Sequence, residues 1–209
     1  MDLYQGLLII TSIHLLSAAM PGPDFVLVSQ QTLSNGKRAG LLCSLGIALG
    51  LSVHIIYSSM GLAVVIANSS SALWAIKLLG GSYLIYLGIN GLRSKASKTG
   101  TIKIGPVVKR SALKTIGMGF LCNALNPKTS IYFVSLFTIV LSQDTPAQHL
   151  MIYGLWMMAL QLAWFAFLTM LLSRPAVTGK FHSMGHWIDR IAGGAMLLLG
   201  LKVLATRTS

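Results

Sequence analysis

Two prolines interrupt the first long apolar run of the chain, and this interruption restricts the possible folds more than any other feature. Leu3–Ala19 is almost entirely apolar, and Pro21, Gly22, Pro23 and Asp24 follow soon after it. Each proline removes a backbone donor, and its ring clashes with the carbonyl one turn back, so a regular helix cannot continue here. The residue before each proline is also pushed toward extended conformations. In lipid an open backbone is tolerated only inside protein or beside a water-filled cavity, so the rest of the chain must enclose the break.

The composition indicates that the surroundings are indeed lipid. Of the 209 residues, 54% are hydrophobic and 10% are charged, whereas a soluble domain has about 25% charged residues. The acidic residues are Asp2, Asp24, Asp144 and Asp189, and the chain has no glutamate. We therefore predict an all-α membrane protein. The basic n-region of a cleavable signal peptide does not precede the first apolar run.

Six segments have the roughly 20 mainly apolar residues that a transmembrane helix needs. They are Leu3–Ala19 with a short continuation over Phe25–Leu33, then Gly40–Ala67, Leu73–Leu92, Thr115–Leu141, Leu150–Leu172 and Ile188–Ala205. We predict a single six-span domain over residues 1–209, with one half at about 1–92, a loop over 93–114 and a second half at about 115–209. Because each half has three spans, the halves would enter the membrane from opposite faces, as in a 3+3 inverted repeat.

The fourth span contains a second break, formed by Asn123, Asn126, Pro127 and Lys128. Interrupted helices at corresponding positions in two halves indicate a binding site near the middle of the membrane. The two halves share little residue identity, so the repeat is predicted from layout alone. We expect the broken helices 1 and 4 to meet at one site.

Small residues predict where helices approach closely. Gly46 and Gly50 form a G-x-x-x-G pair in the second span. Such pairs allow helix backbones to come together in lipid, either within one subunit or between two.

The basic residues predict the orientation. Twelve of the sixteen lysines and arginines fall in the loops that follow spans one, three and five. Cytoplasmic loops carry the excess of basic residues, so we predict that these loops are cytoplasmic and that both termini lie outside. The same distribution accounts for the net charge of +12 without nucleic acid as a partner.

Asp24 and Lys128 are the first candidates for a functional role, because ionisable groups at membrane depth are costly and usually face a cavity or a partner. Asp24 could bind substrate or carry a proton, or it could cap the helix that follows the break. Lys128 could pair with Asp24 or with backbone carbonyls, or its long stem could extend to the membrane surface.

Several uncharged polar residues have two open interpretations. The amides of Asn123 and Asn126 could bind substrate or satisfy the backbone groups that Pro127 frees. Gln161 and Trp164 in the fifth span could contact substrate, although a polar amide in lipid more often holds helices together.

The histidines offer weaker signals. His14 and His54 lie within spans one and two and could pack or relay protons. His182 and His186 are four residues apart, with Asp189 three further on, but no third strong ligand is evident and we interpret them as a solvated loop rather than a metal site. Because common enzyme signatures are missing, we expect a protein that is not an enzyme and has neither a cofactor nor a metal.

The motifs together resemble those of the LysE/RhtB family of amino-acid exporters, and the likeness extends over essentially the whole chain. The matching segments are Pro21–Asp24, Val28–Gln30, Asn126–Lys128 with Tyr132–Phe133, Ala163–Phe165 and Trp187–Asp189. The sequence is most similar to the threonine/homoserine branch of the family. The resemblance implies a bacterial inner-membrane exporter of small zwitterions that works by proton antiport and forms a homodimer.

These arguments define one set of candidate residues for the substrate and proton pathway. It comprises Pro21, Gly22, Pro23, Asp24, Ser29, Gln30, Asn123, Asn126, Pro127, Lys128, Gln161 and Trp164. The expected partners are an amino acid, protons and the lipid bilayer.

Two other classes of membrane protein remain open. A thiol–disulfide electron carrier would need two cysteines that meet at the site, and the chain has Cys43 and Cys122, without the neighbours that activate a thiol. A passive channel would need a pore-lining ring, usually supplied by an oligomer. Export against a gradient separates a carrier from a channel.

The predicted orientation can be tested by labelling. In a variant with Cys43→Ser and Cys122→Ser, a cysteine introduced by Gln143→Cys should react with an impermeant thiol reagent in whole cells. Lys98→Cys should react only after the cells are permeabilised. The reverse pattern would overturn the orientation.

Overall fold

The computed structural model describes residues 2–68, 70–93, 110–140 and 145–174, and also 190–191, 193–198, 200–201 and 204–205. Within these residues every regular element is a helix, which confirms the all-α prediction. The helices are α1 (Leu3–Ala19), α2 (Pro23–Asn35), α3 (Lys37–Asn68), α4 (Ser70–Leu92), α5 (Ala112–Ala124), α6 (Pro127–Val140) and α7 (Ala147–Leu172). The described residues between 190 and 205 are also helical.

The predicted break after the first apolar run is present. α1 ends at Ala19, α2 begins at Pro23, and the two helices are bent by 60°. Pro23 occupies the first position of α2, where a missing amide proton removes no helical bond and the fixed φ suits the helix. Gly22 before it is extended, so the chain turns sharply at this point.

The second predicted break is present too. α5 ends at Ala124 and α6 begins at Pro127. The backbone amide of Lys128 donates to Oδ1 of Asn126 at 3.0 Å, so the Asn126 side chain satisfies one of the amides left free at the start of α6. Ser111 caps the start of α5 in the same manner.

Some of the described helices are long and apolar enough to span a membrane. Lys37–Met60 and Gln148–Leu172 are each long and apolar enough to cross a membrane, and α1 with α2 would make a third, broken span. α4 and the helical residues after 190 coincide with the third and sixth predicted spans, but the six-span repeat stays a prediction.

Two apolar clusters hold the helices together. One contains Ile10, Ile13, Phe133, Phe137 and Tyr153, and it lies where α1, α6 and α7 meet. The other packs α2, α3 and α7 through side chains that include Val28, Ile47, Phe165 and Leu168.

The most extensive helix contact among the described residues is between α3 and α5, and glycines make it possible. A Cβ atom on Gly46 would meet the backbone of Ile116, and one on Gly119 would meet the carbonyl of Cys43. The G-x-x-x-G pair of the sequence therefore packs within one chain, and it brings α5 and its terminal Asn123 against α3.

The glycine contact predicts a difference between two neighbouring positions on α5. Gly119→Ala should destabilise the protein by about 1–3 kcal/mol, the usual cost of overpacking. Gly117→Ala is the matched control, because a Cβ there meets nothing within 4 Å and should stabilise the helix by up to about 1 kcal/mol. Thermal unfolding in detergent measures both, and equal midpoints for the two variants would contradict the packing.

Candidate functional site

Lys128 joins the two helix breaks. Its Nζ donates to the carbonyl oxygens of Ser17 at 3.2 Å and Met20 at 3.0 Å. The last carbonyls of a helix have no partner within the helix, and a positive charge beside them is favourable. The lysine at the start of α6 thus binds the end of α1, one of the arrangements that the sequence left open.

Asp24 lies beside this contact, in the first turn of α2, and is only 7% exposed. Its Oδ2 accepts a hydrogen bond of 2.8 Å from Nδ2 of Asn123, at the end of α5. Its Oδ1 is buried without a hydrogen-bond partner in the described part of the chain. The side chains of Asn126 and Cys122 also lie close to this carboxylate, and Lys128 is near enough to act on it by charge.

His54 fixes the position of Asn123 through its backbone carbonyl. Nε2 of His54 lies 2.8 Å from the carbonyl oxygen of Asn123, and Nδ1 lies 3.0 Å from the hydroxyl of Tyr57. Because a carbonyl only accepts, we assign the imidazole proton to Nε2. His54 therefore holds the end of α5, and through it the amide that binds Asp24.

A partly open cavity lies where the breaks meet. Its polar lining includes His14, Asp24, Lys128 and Gln161, and its apolar lining includes Leu51, Phe133 and Phe165. Three buried atoms of the residues that line the cavity have no hydrogen-bond partner in the described part of the chain: Nε2 of His14, Oδ1 of Asp24 and Oε1 of Gln161. Apolar walls with a few convergent polar groups are typical of small-molecule sites.

The predicted pathway residues separate into three groups. The cavity is lined by Gly22, Asp24, Asn126, Lys128 and Gln161. Asn123 lies directly behind it, bound to Asp24, while Pro21, Pro23 and Pro127 are exposed and set the helix breaks. Ser29, Gln30 and Trp164 lie outside the lining.

Sequence reasoning did not select several lining residues. Ser17 and Tyr132 were not candidates for the pathway, and His14 was considered only as a packing residue or proton relay. A helical spacing signal existed for Tyr132, because it lies four residues after Lys128 and so on the same face of α6. For Ser17 the contact uses the backbone carbonyl, which any residue type could supply.

Cys43 and Cys122 are not among the described residues that line the cavity, although Cys122 lies close to the carboxylate of Asp24. Cys43 is a buried free thiol in the apolar cluster of α2, α3 and α7, and Cys122 is a half-buried free thiol. His182, His186 and Asp189 lie outside the described residues.

Comparison with known proteins identifies the family. Residues 15–207 match the family model "LysE type translocator". The chain is 29% identical to the threonine efflux protein of Escherichia coli K12, over 96% of this chain and 98% of the relative. It is 31% identical to uncharacterised membrane proteins of Bacillus subtilis, over 95% and 98% of the two chains, and of Haemophilus influenzae, over 90% of each.

The chain therefore belongs to the LysE type translocator family, as its motifs indicated, and is a multi-pass membrane protein. No solved structure matches it.

The contact made by Lys128 predicts a loss of stability when the ammonium is removed. Lys128→Met would leave the Ser17 and Met20 carbonyls without this donor, at a cost of about 1–3 kcal/mol. Lys37→Met, at an exposed lysine at the start of α3, is the control and should unfold at nearly the wild-type temperature. If both variants unfold together with the wild type, Lys128 does not hold the breaks.

Proposed function

We propose that the protein exports small amino acids of the threonine and homoserine type from the cytoplasm in exchange for protons. The observation that carries this proposal is that Asp24 and Lys128 line one cavity between two broken helices, and that one carboxylate oxygen of Asp24 has no hydrogen-bond partner among the described residues. The name of the Escherichia coli relative, threonine efflux protein, supports the choice of substrate.

The proposed membrane arrangement is the six-span 3+3 repeat in a bacterial inner membrane. The basic loops after spans one, three and five face the cytoplasm, and both termini lie outside. α1 has 17 residues and α2 has 13, which correspond to ~26 Å and ~20 Å at the helical rise. Neither length reaches across a hydrocarbon core of about 30 Å, so if the two helices form one span, the break between them lies inside the membrane.

The cavity has the charges that a free amino acid requires. The ammonium of the substrate can take the open oxygen of Asp24, and its carboxylate can approach Lys128. Charged groups that are both buried and hydrogen-bonded interact strongly, since water competes little there. A zwitterion satisfies both poles together, whereas a simple cation or anion satisfies one.

Asp24 also supplies the proton site. Among the described residues that line the cavity it is the one that is acidic, and an exchanger needs a group that changes charge within reach of both sides. A substrate ammonium and a proton compete for the same open oxygen, so binding of one favours release of the other. This competition couples export to proton influx.

Asp24→Asn is the test of this mechanism. The variant should lose export against a gradient while remaining in the membrane, because its amide cannot release a proton. Exchange down a gradient should be partly retained, since the amide resembles the protonated acid. Asp24→Glu should also be poor, because the longer side chain moves the carboxylate. Efflux from preloaded vesicles, with the proton gradient imposed or collapsed, measures each.

Asp2→Asn is the matched control, because Asp2 only caps the exposed start of α1. It should export normally. Uphill, pH-dependent export by Asp24→Asn would contradict the assignment of the proton site. Wild-type export that never exceeds equilibrium would indicate a passive channel instead.

A further inference from the structure

We infer that His14 and Gln161 form a subsite for a hydroxyl group on the side chain of the substrate. The inference rests on the proposed function, because it specifies which amino acids the cavity selects. It starts from two polar atoms that the charged poles of a zwitterion do not require.

The two side chains are buried and incompletely bonded. His14 is 2% exposed and Gln161 is 4% exposed, and both line the cavity. His14 Nε2 and Gln161 Oε1 have no partner within hydrogen-bond distance in the described part of the chain, and the two side chains are close enough only for a longer, weaker hydrogen-bond contact with each other. Buried polar atoms are nearly always paired, so a group that enters the cavity is the expected partner.

The neighbouring tyrosine decides which atom donates. The hydroxyl of Tyr132 is buried and lies 3.3 Å from Nδ1 of His14. A phenol hydrogen needs an acceptor, and Nδ1 supplies one when the imidazole proton is on Nε2. We assign this tautomer, which turns Nε2–H of His14 into a donor beside the acceptor Oε1 of Gln161.

A donor beside an acceptor matches a hydroxyl group. A hydroxyl accepts from Nε2–H and donates to Oε1, and thereby satisfies both atoms. A methyl group satisfies neither, an ammonium cannot accept, and a carboxylate cannot donate.

The spacing also suits a short side chain. His14 precedes Ala18 by one helical turn on α1, and Tyr132 follows Lys128 by one turn on α6, so the backbone positions that carry the subsite are offset by ~6 Å along these helices from Ala18 and Lys128. Leu51, Phe133 and Phe165 provide apolar walls. A short hydroxy amino acid can span this distance.

The experiment compares threonine with valine, which replaces the hydroxyl with a methyl of similar volume. Wild-type protein in vesicles should export threonine at least roughly 10²-fold faster than it exports valine, since a site built to bind a hydroxyl rejects the analogue that lacks it. Serine against alanine is a second pair with the same expectation. Both comparisons use the wild-type protein, so the result does not depend on whether a variant folds.

The variants assign the effect to this subsite. Gln161→Leu and His14→Phe should each reduce the threonine-to-valine ratio at least tenfold. Gln148→Leu, on the exposed start of the same helix α7, should keep the wild-type ratio. The ratio is compared rather than the rate, so a lower amount of protein in the membrane does not affect the result.

Each outcome decides a different point. Equal wild-type export of threonine and valine would overturn the hydroxyl subsite while the proposed function stands. An unchanged ratio in both Gln161→Leu and His14→Phe would overturn the assignment to these residues. If none of threonine, valine, serine and alanine is exported, the proposed function fails, and the inference fails with it.

Discussion

The bond between the Lys128 ammonium and the last carbonyls of α1 is the interaction on which the rest of the arrangement depends. A helix that stops inside an apolar environment leaves backbone groups that need partners. Lys128 satisfies two such carbonyls from the start of a different broken helix. Asn123, at the end of α5, binds Asp24 at the start of α2 in a similar crossing contact. Each break is therefore completed by residues of the other.

Two crossed breaks also explain why a cavity exists at this point. Continuous helices would pack their side chains together, whereas the bend of 60° between α1 and α2 separates them. Among the residues that line the cavity, Oδ1 of Asp24, Nε2 of His14 and Oε1 of Gln161 have no hydrogen-bond partner in the described part of the chain. These atoms surround the cavity, so the same constraint that shapes the backbone leaves polar atoms free for a ligand.

Much of the fold could be predicted because proline and apolar length act locally. Pro23 and Pro127 end one helix and begin the next wherever they occur in an apolar run, and both breaks were predicted correctly. The role of Ser17 could not be predicted, because it contributes a backbone carbonyl that has no sequence signature. The pairing of His14 with Tyr132 joins residues 118 positions apart, and a single sequence carries no sign of such a contact.

The central claim is that the two breaks form one site for a free amino acid. A structure of the purified protein determined with threonine bound would test it most directly. We expect the ligand between α1, α6 and α7, with its ammonium at Asp24, its carboxylate at Lys128 and its hydroxyl between His14 and Gln161. Threonine bound elsewhere, with this cavity filled by the protein's own side chains, would contradict the claim.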